Sequence, residues 1–144
     1  MRRTTIALLF CVLCIGCGHA PTVVDFDNNL ASIGTTGKLL GEAYGKYSLA
    51  KQDRDAYEKQ LDIVAGVAIA VASNGDLSIE QQASISAMVA EIAKIDDTQS
   101  KVYVQIFNTV RYWIEHYDNS EVEAAYASRF LRKFTEGMEQ AGGN

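Results

Sequence analysis

Apolar residues recur at helical spacing through most of the chain, and this pattern predicts an all-α fold. In the first stretch the steps between them are four, three, seven, four and three positions, so their side chains share one helix face. The sequence shows no convincing strand alternation and no long internal repeat. The residues of the first stretch are Phe26, Leu30, Ile33, Leu40, Tyr44 and Tyr47.

The polar segment KQDRD at 51–55 separates this stretch from a second apolar one. It is either the exposed middle of one long helix or a break between two helices. The pair Asp55 and Glu58, a possible capping box, favours a break or a kink. The sequence SNGD at 73–76 then predicts a turn. The apolar residues of the second helix are Tyr57, Leu61, Val64, Ala68 and Val71.

Polar junctions also divide the second half of the chain. Ser78 with Gln81 predicts the start of one helix, and the acidic pair at 96–97 ends or restarts it. Ser120 with Glu123 predicts the start of the last helix, as a capping box. The apolar residues assigned to these helices are Ile85, Val89, Ile92, Val102, Ile106, Val110, Trp113, Tyr117, Val122, Tyr126, Phe130 and Phe134.

Length and composition indicate a single globular domain. The chain has 144 residues, of which 48% are hydrophobic and 22% charged, with one proline. Four or five helices with short loops predict a compact antiparallel bundle over 26–144, after a short N-terminal tether. The net charge is −5 and the basic residues are scattered, so we expect no nucleic-acid partner.

Four glycines in the segment GTTGKLLGEAYG step by three, four and four positions, so they share one helix face. Each glycine inside a helix costs about 1 kcal/mol relative to alanine, which indicates that a close contact compensates. We expect that contact to be a neighbouring helix of the same bundle. Self-association or partner binding, and membrane insertion as in glycine zippers, are the alternatives. The four residues are Gly34, Gly37, Gly41 and Gly45.

Two other segments suggest specific roles. The run IVAGVAIAVA at 63–72 is too short to span a bilayer and predicts the central buried helix, with membrane insertion as the alternative. The segment SNGDLSIE at 73–80 has the alternating oxygen side chains of a calcium loop. However, Ala72, Leu77 and Ala83 occupy key positions of that motif. We therefore expect a turn and a helix cap there, and no metal site.

The segment VRYWIEHYD at 110–118 contains the candidate surface residues of the last half. Trp113 and Tyr117 continue the apolar stripe, whereas Tyr112, Glu115 and His116 fall outside it and form a candidate partner surface. One histidine without a thiol or serine motif offers little catalytic material, so we expect no catalytic residue, no cofactor and no enzyme activity. An enzyme or small-ligand binder with an unrecognised site is the alternative.

The N-terminus has the layout of an export signal. Arg2 and Arg3 precede an unbroken apolar run at 6–15, and small residues follow it. The run is too short for a membrane span. All three cysteines of the chain lie here, and Cys11 and Cys14 fall inside the apolar run that signal cleavage removes.

The stretch LCIGC at 13–17 resembles the lipobox of bacterial lipoproteins, with Gly16 before Cys17 and with Cys14 where the class usually has leucine. The resemblance implies a signal peptide over 1–16 and a lipid attached to Cys17. A lipidated tether would then span 17–25. The residue after the cysteine is not aspartate, which by the same resemblance implies the outer membrane, on its periplasmic side. Alternatively, cleavage after Ala20 would release a soluble periplasmic protein.

Together these features predict a small non-enzymatic envelope lipoprotein, encoded by a bacterium or a phage. Its helical domain would be an interaction or scaffold module, with the membrane and an unidentified envelope protein as partners. Self-association is a further possibility. The alternative function is that of a membrane-active glycine-zipper protein.

Overall fold

The computed structural model describes residues 23–95 and 100–143, and in these ranges the chain forms five α-helices, which confirms the all-α bundle. The signal peptide, Cys17, the side chain of Phe26 and the acidic pair at 96–97 lie outside the described residues. The helices are α1 (Val23–Leu49), α2 (Arg54–Ala72), α3 (Ile79–Ile92), α4 (Ser100–His116) and α5 (Glu121–Gly142), with a short 3-10 helix at Tyr117–Asn119. Helix α1 thus begins within the segment 17–25 expected to be a tether.

The break predicted near 51–55 is present, but its cap lies at a different residue. Asp53, not Asp55, caps α2, and its carboxylate accepts a hydrogen bond of 2.8 Å from the amide of Ala56. Asp53 has an extended backbone, as an N-cap requires, whereas Asp55 already lies in the first turn. There a carboxylate favours the positive end of the helix dipole.

The other two predicted helix starts are confirmed. At α3 the amide of Gln81 donates to Ser78 Oγ over 3.1 Å, and the amide of Ser78 donates to Gln81 Oε1 over 2.8 Å. This reciprocal pair is a complete capping box. At α5 the amide of Glu123 donates to Ser120 Oγ over 3.3 Å, which is the first of the two hydrogen bonds of the predicted capping box.

Helix α5 forms the centre of the bundle and packs against α1, α2 and α4. Helices α1 and α5 run parallel, because Asn29 lies near Tyr126 at one end and Gly45 near Met138 at the other. Helix α2 runs antiparallel to α5: the hydroxyl of Tyr57 donates to the carbonyl of Met138 over 2.7 Å at one end, and Val71 lies near Ala124 at the other. The expected antiparallel bundle is therefore wrong for its closest helix pair.

The central buried helix is α5 and not the 63–72 run. In that run one face is buried, yet Ile69 on the opposite face is 69% exposed. Alanines and valines offer too little side-chain area for the middle of the core, which large side chains of α5 occupy instead. The buried residues of α5 are Tyr126, Ala127, Phe130, Leu131, Phe134, Thr135, Gly137 and Met138.

Helix α4 covers the other side of α5 through aromatic rings. Phe107 makes edge contacts with Phe130 and Phe134, at ring-centroid distances of 5.9 and 5.5 Å. Phe107 and Ile114 are buried although the stripe read from the sequence omitted both. Trp113 and Tyr117, which the predicted stripe included, are half-buried. The buried face of α4 is rotated from the predicted one toward positions 107 and 114. Val122, assigned to the core of the last helix, lies 36% exposed in the first turn of α5.

Candidate functional site

The four glycines of α1 lie buried along α5, and at Gly37 and Gly41 the two backbones come into contact. A Cβ atom at Gly37 would lie 2.6 Å from the carbonyl oxygen of Phe130. A Cβ atom at Gly41 would overlap the carbonyl oxygen of Phe134 more severely. We name this contact the glycine seam, and it consists of Gly34, Gly37, Gly41 and Gly45 on α1 with the facing backbone of α5.

Helix α5 contributes a glycine of its own to the seam. A Cβ atom at Gly137 would overlap the carbonyl oxygen of Lys38 and lie 2.7 Å from the amide nitrogen of Glu42. Sequence reasoning missed Gly137, although one glycine inside an otherwise helical pattern is a signal for close packing. The two helices therefore fit together through glycines on both sides.

This packing fills the glycine face within the chain. A second copy, a partner helix or a bilayer could contact Gly41 only after α1 had separated from α5. Lys38 and Lys46 on α1 are exposed, with Glu42 partly exposed between them. Within the described residues, no helix is both long enough and apolar enough to cross a membrane.

Buried tyrosines lie at the end of the seam near Gly45. A Cβ atom at Gly45 would lie 2.6 Å from the hydroxyl oxygen of Tyr57. Burial raises the pKa of Tyr57 to about 12. Burial also raises the pKa of Tyr44, whose hydroxyl accepts a hydrogen bond of 2.6 Å from Gln60. Both phenols are therefore held in their neutral form.

The three candidate surface residues of α4 divide between two faces. The rings of Tyr112 and His116 stack at 4.2 Å, and His116 Nδ1 lies 2.8 Å from the carbonyl oxygen of Tyr112. Glu115 instead accepts a hydrogen bond of 2.8 Å from Arg111 Nε. Glu115 and His116 therefore do not form an acid–base pair, because neighbouring helix residues point about 100° apart.

Glu115 lines a depression between α3 and α4, with a volume of about 620 Å³. The side chains of Leu77, Ile85 and Ile114 supply its apolar surface. Exposed polar residues surround it. They are Asp76, Gln82, Ser86, Arg111, Glu115 and Asp118.

A second depression, of about 580 Å³, lies between the end of α2 and the start of α5. Tyr117 and Asp118 line both depressions and so form the ridge between them. The hydroxyl of Tyr117 donates a hydrogen bond to the carbonyl of Gly75, which fastens this ridge to the loop after α2. Burial, with the nearby carboxylates of Asp76 and Asp118, raises the pKa of Tyr117.

The segment with a faint calcium-loop pattern forms this loop. Ser78 uses its side chain as a helix cap, while Asn74 has a φ of 52°, in the left-handed region that asparagine tolerates in turns. Within the described ranges, no three or more His, Cys, Asp or Glu side chains are grouped so that they could hold a metal ion.

Comparison with known proteins yields no match to a family model, to a curated protein or to a solved structure. The seam supplies a tight internal contact, and the two depressions supply an open, acidic surface at one end of the bundle.

Proposed function

We propose that this chain is a lipid-anchored envelope protein whose helical domain is a non-enzymatic interaction module. The observation that carries the proposal is Cys17, preceded by Gly16 at the end of an export-type signal. The acyl chains of a lipoprotein would hold the domain at the outer membrane, because each buried methylene contributes about 0.8 kcal/mol to membrane binding.

The fold would determine how a lipid at Cys17 orients the domain. Five residues separate Cys17 from the start of α1 at Val23. Helices α1 and α5 run parallel, so the start of α5 lies at the same end of the bundle as the start of α1. A lipid at Cys17 would then hold this end next to the membrane and direct the 50–53 turn away from it.

The absence of enzyme activity is part of the proposal. It is supported by the state of the two residues of α4 best suited to acid–base chemistry. His116 is stacked on Tyr112, and Glu115 is paired with Arg111. Neither side chain is directed at the other, as a general acid and base acting together would require.

Lipidation is tested by metabolic labelling with palmitate in a bacterial host that expresses the full chain. We expect wild type to be labelled and to sediment with membranes, and Cys17→Ala to lose both properties. Cys14→Ala is the matched control and should remain labelled. A membrane-bound, labelled Cys17→Ala variant would overturn the anchor. Unlabelled wild type with Pro21 as its first residue would establish the soluble periplasmic alternative.

The interaction role is tested by photo-crosslinking in intact envelopes, with the photoreactive side chain at Ser86 in the depression. The same side chain at Glu58, on the exposed face of α2, is the control. We expect a discrete adduct from the first position and none from the second. Leakage of vesicles on addition of the full chain would instead support the membrane-active alternative.

A further inference from the structure

Two depressions lie side by side across one end of the bundle, and only the ridge of Tyr117 and Asp118 separates them. We propose that they form one docking groove for an extended, basic segment of a partner protein. This inference rests on the proposed function as an interaction module, since it assigns the surface that binds and the chemistry of what is bound. We name this surface the end groove.

The end groove offers two apolar sites to a polypeptide in extended conformation. The first depression has an apolar floor of Ile85 and Ile114, and the second has one of Val71 and Ala124. Successive side chains of an extended segment point to opposite sides, and residues rise about 3.3 Å apart. A segment crossing the ridge could thus place one apolar side chain in each depression.

Charge decides the kind of segment that fits. Four carboxylates line the two depressions, and Arg111 is the one basic side chain among their lining residues. Its guanidinium is paired with Glu115, so the lining side chains together keep an excess of three negative charges. A partner bearing lysine or arginine would meet complementary charge, whereas an acidic segment would be repelled. The carboxylates belong to Asp76, Glu115, Asp118 and Glu121.

The position of the end groove agrees with a role at the anchored end. Asn29 in α1 donates to the hydroxyl of Tyr126 in α5 over 3.3 Å, so the start of α1 lies at the groove end of the bundle. With the anchor at Cys17, the bound segment would lie close to the membrane surface. The end groove would then bind a partner at the membrane rather than away from it.

The groove is tested with the full chain in detergent on an array of random hexapeptides. Ser86→Trp would fill the first depression, and Ala87→Trp on the outer face of the same helix is the matched control. We expect Ser86→Trp to lose a set of bound peptides that is enriched in lysine and arginine, while Ala87→Trp keeps them. If Ser86→Trp loses no peptides, or loses a set without basic enrichment, the proposal is wrong.

Two further variants test the charge and the continuity of the groove, using a peptide selected from that set. Asp76→Asn should weaken binding by about twofold to fivefold, and Asp62→Asn on α2 should leave it unchanged. The affinity should also fall as salt is added. Ala125→Trp, in the second depression, should weaken the same peptide. Unchanged binding by Ala125→Trp would show that the depressions do not act as one groove.

The outcomes separate this inference from the anchor. Loss of lipid labelling would leave peptide binding by the end groove intact, because the groove is built from α2 to α5. Absence of groove binding would leave labelling of Cys17 unaffected. Circular dichroism of the tryptophan variants confirms that each is folded before binding is compared.

Discussion

Helix α5 packs on two sides by opposite means. Toward α1 it presents the backbone carbonyls of Phe130 and Phe134, which touch glycines. Toward α4 it presents the rings of the same two residues, which pack around Phe107. At Gly37 and Gly41 the α1 side leaves no room for a side chain, whereas the α4 side is filled by large aromatic ones.

From this difference we expect the two sides to tolerate different changes. At Gly37 and Gly41 an added carbon meets backbone atoms of α5 that cannot move without shifting a helix. In the aromatic contact each removed carbon leaves a void, because neighbouring rings cannot close over it. The seam should therefore be sensitive to enlargement and the aromatic contact to truncation.

The largest effect is expected from Phe107→Ala. Phe107 is fully buried and touches two other rings, so its truncation should lower the free energy of unfolding by about 3–5 kcal/mol. Urea titration followed by circular dichroism measures this. Phe107→Leu keeps most of the volume and should cost clearly less; equal losses for the two variants would show that packing volume is not what matters here.

Gly41→Ala should destabilise the seam by about 3 kcal/mol, in spite of the better helix propensity of alanine. The new methyl would overlap the carbonyl of Phe134. Gly34→Ala is the matched control, because it meets only Arg129 Nε, at 2.8 Å, on a flexible side chain. The same urea titration should rank Gly41→Ala as much less stable, and a reversed ranking would contradict the seam.

The free energy of unfolding should also fall at alkaline pH, because Tyr57 is buried at the end of the seam. The pKa of Tyr57 is raised to about 12 in the folded chain from about 10, so folding favours its neutral form. The stabilisation is complete below pH 10 and is lost as pH rises toward 12. Tyr57→Phe should cost about 1 kcal/mol at neutral pH through the lost hydrogen bond to Met138.

The measurement for this prediction is the free energy of unfolding between pH 7 and pH 11. Wild type should lose more stability over this range than Tyr57→Phe does. A steeper loss in Tyr57→Phe would mean that other groups govern the alkaline transition.

The smallest effect is expected at Gly66 in α2, outside the seam. An added Cβ would lie 3.0 Å from Gln81 Nε2, and this is the end of a flexible side chain. Gly66→Ala should therefore raise the melting temperature slightly, through a gain of up to about 1 kcal/mol in helix propensity. Strong destabilisation by this change would show that glycines outside the seam are also needed for packing.

Local features of the sequence predicted much of the fold and less of the site. Ser78 and Ser120 were identified as caps because a cap depends on residues three positions away. The sequence pattern pointed to Asp55 and not to Asp53, because either aspartate could cap a helix that begins at the next residue. The predicted stripe of α4 omits Phe107 and Ile114, because apolar residues also stand at the neighbouring positions 106 and 113 and the spacing does not show which set is buried.

The candidate site was predicted only in part. Glu115 lines the end groove, but Asp76 and Glu121 reach it from other elements, and no local spacing connects them to α4. The glycine face was visible in the sequence, whereas Gly137, which meets it, lies about ninety residues further along the chain than Gly45.

The sequence by itself determined that the chain is helical and where most helices begin, since periodicity and capping act over a few residues. It also determined that one face of α1 requires close contact, because four glycines in a helix need compensation. Only the tertiary structure decided that α5 fills this face, in parallel orientation. That choice depends on how three intervening helices pack around one core, and no single segment encodes it.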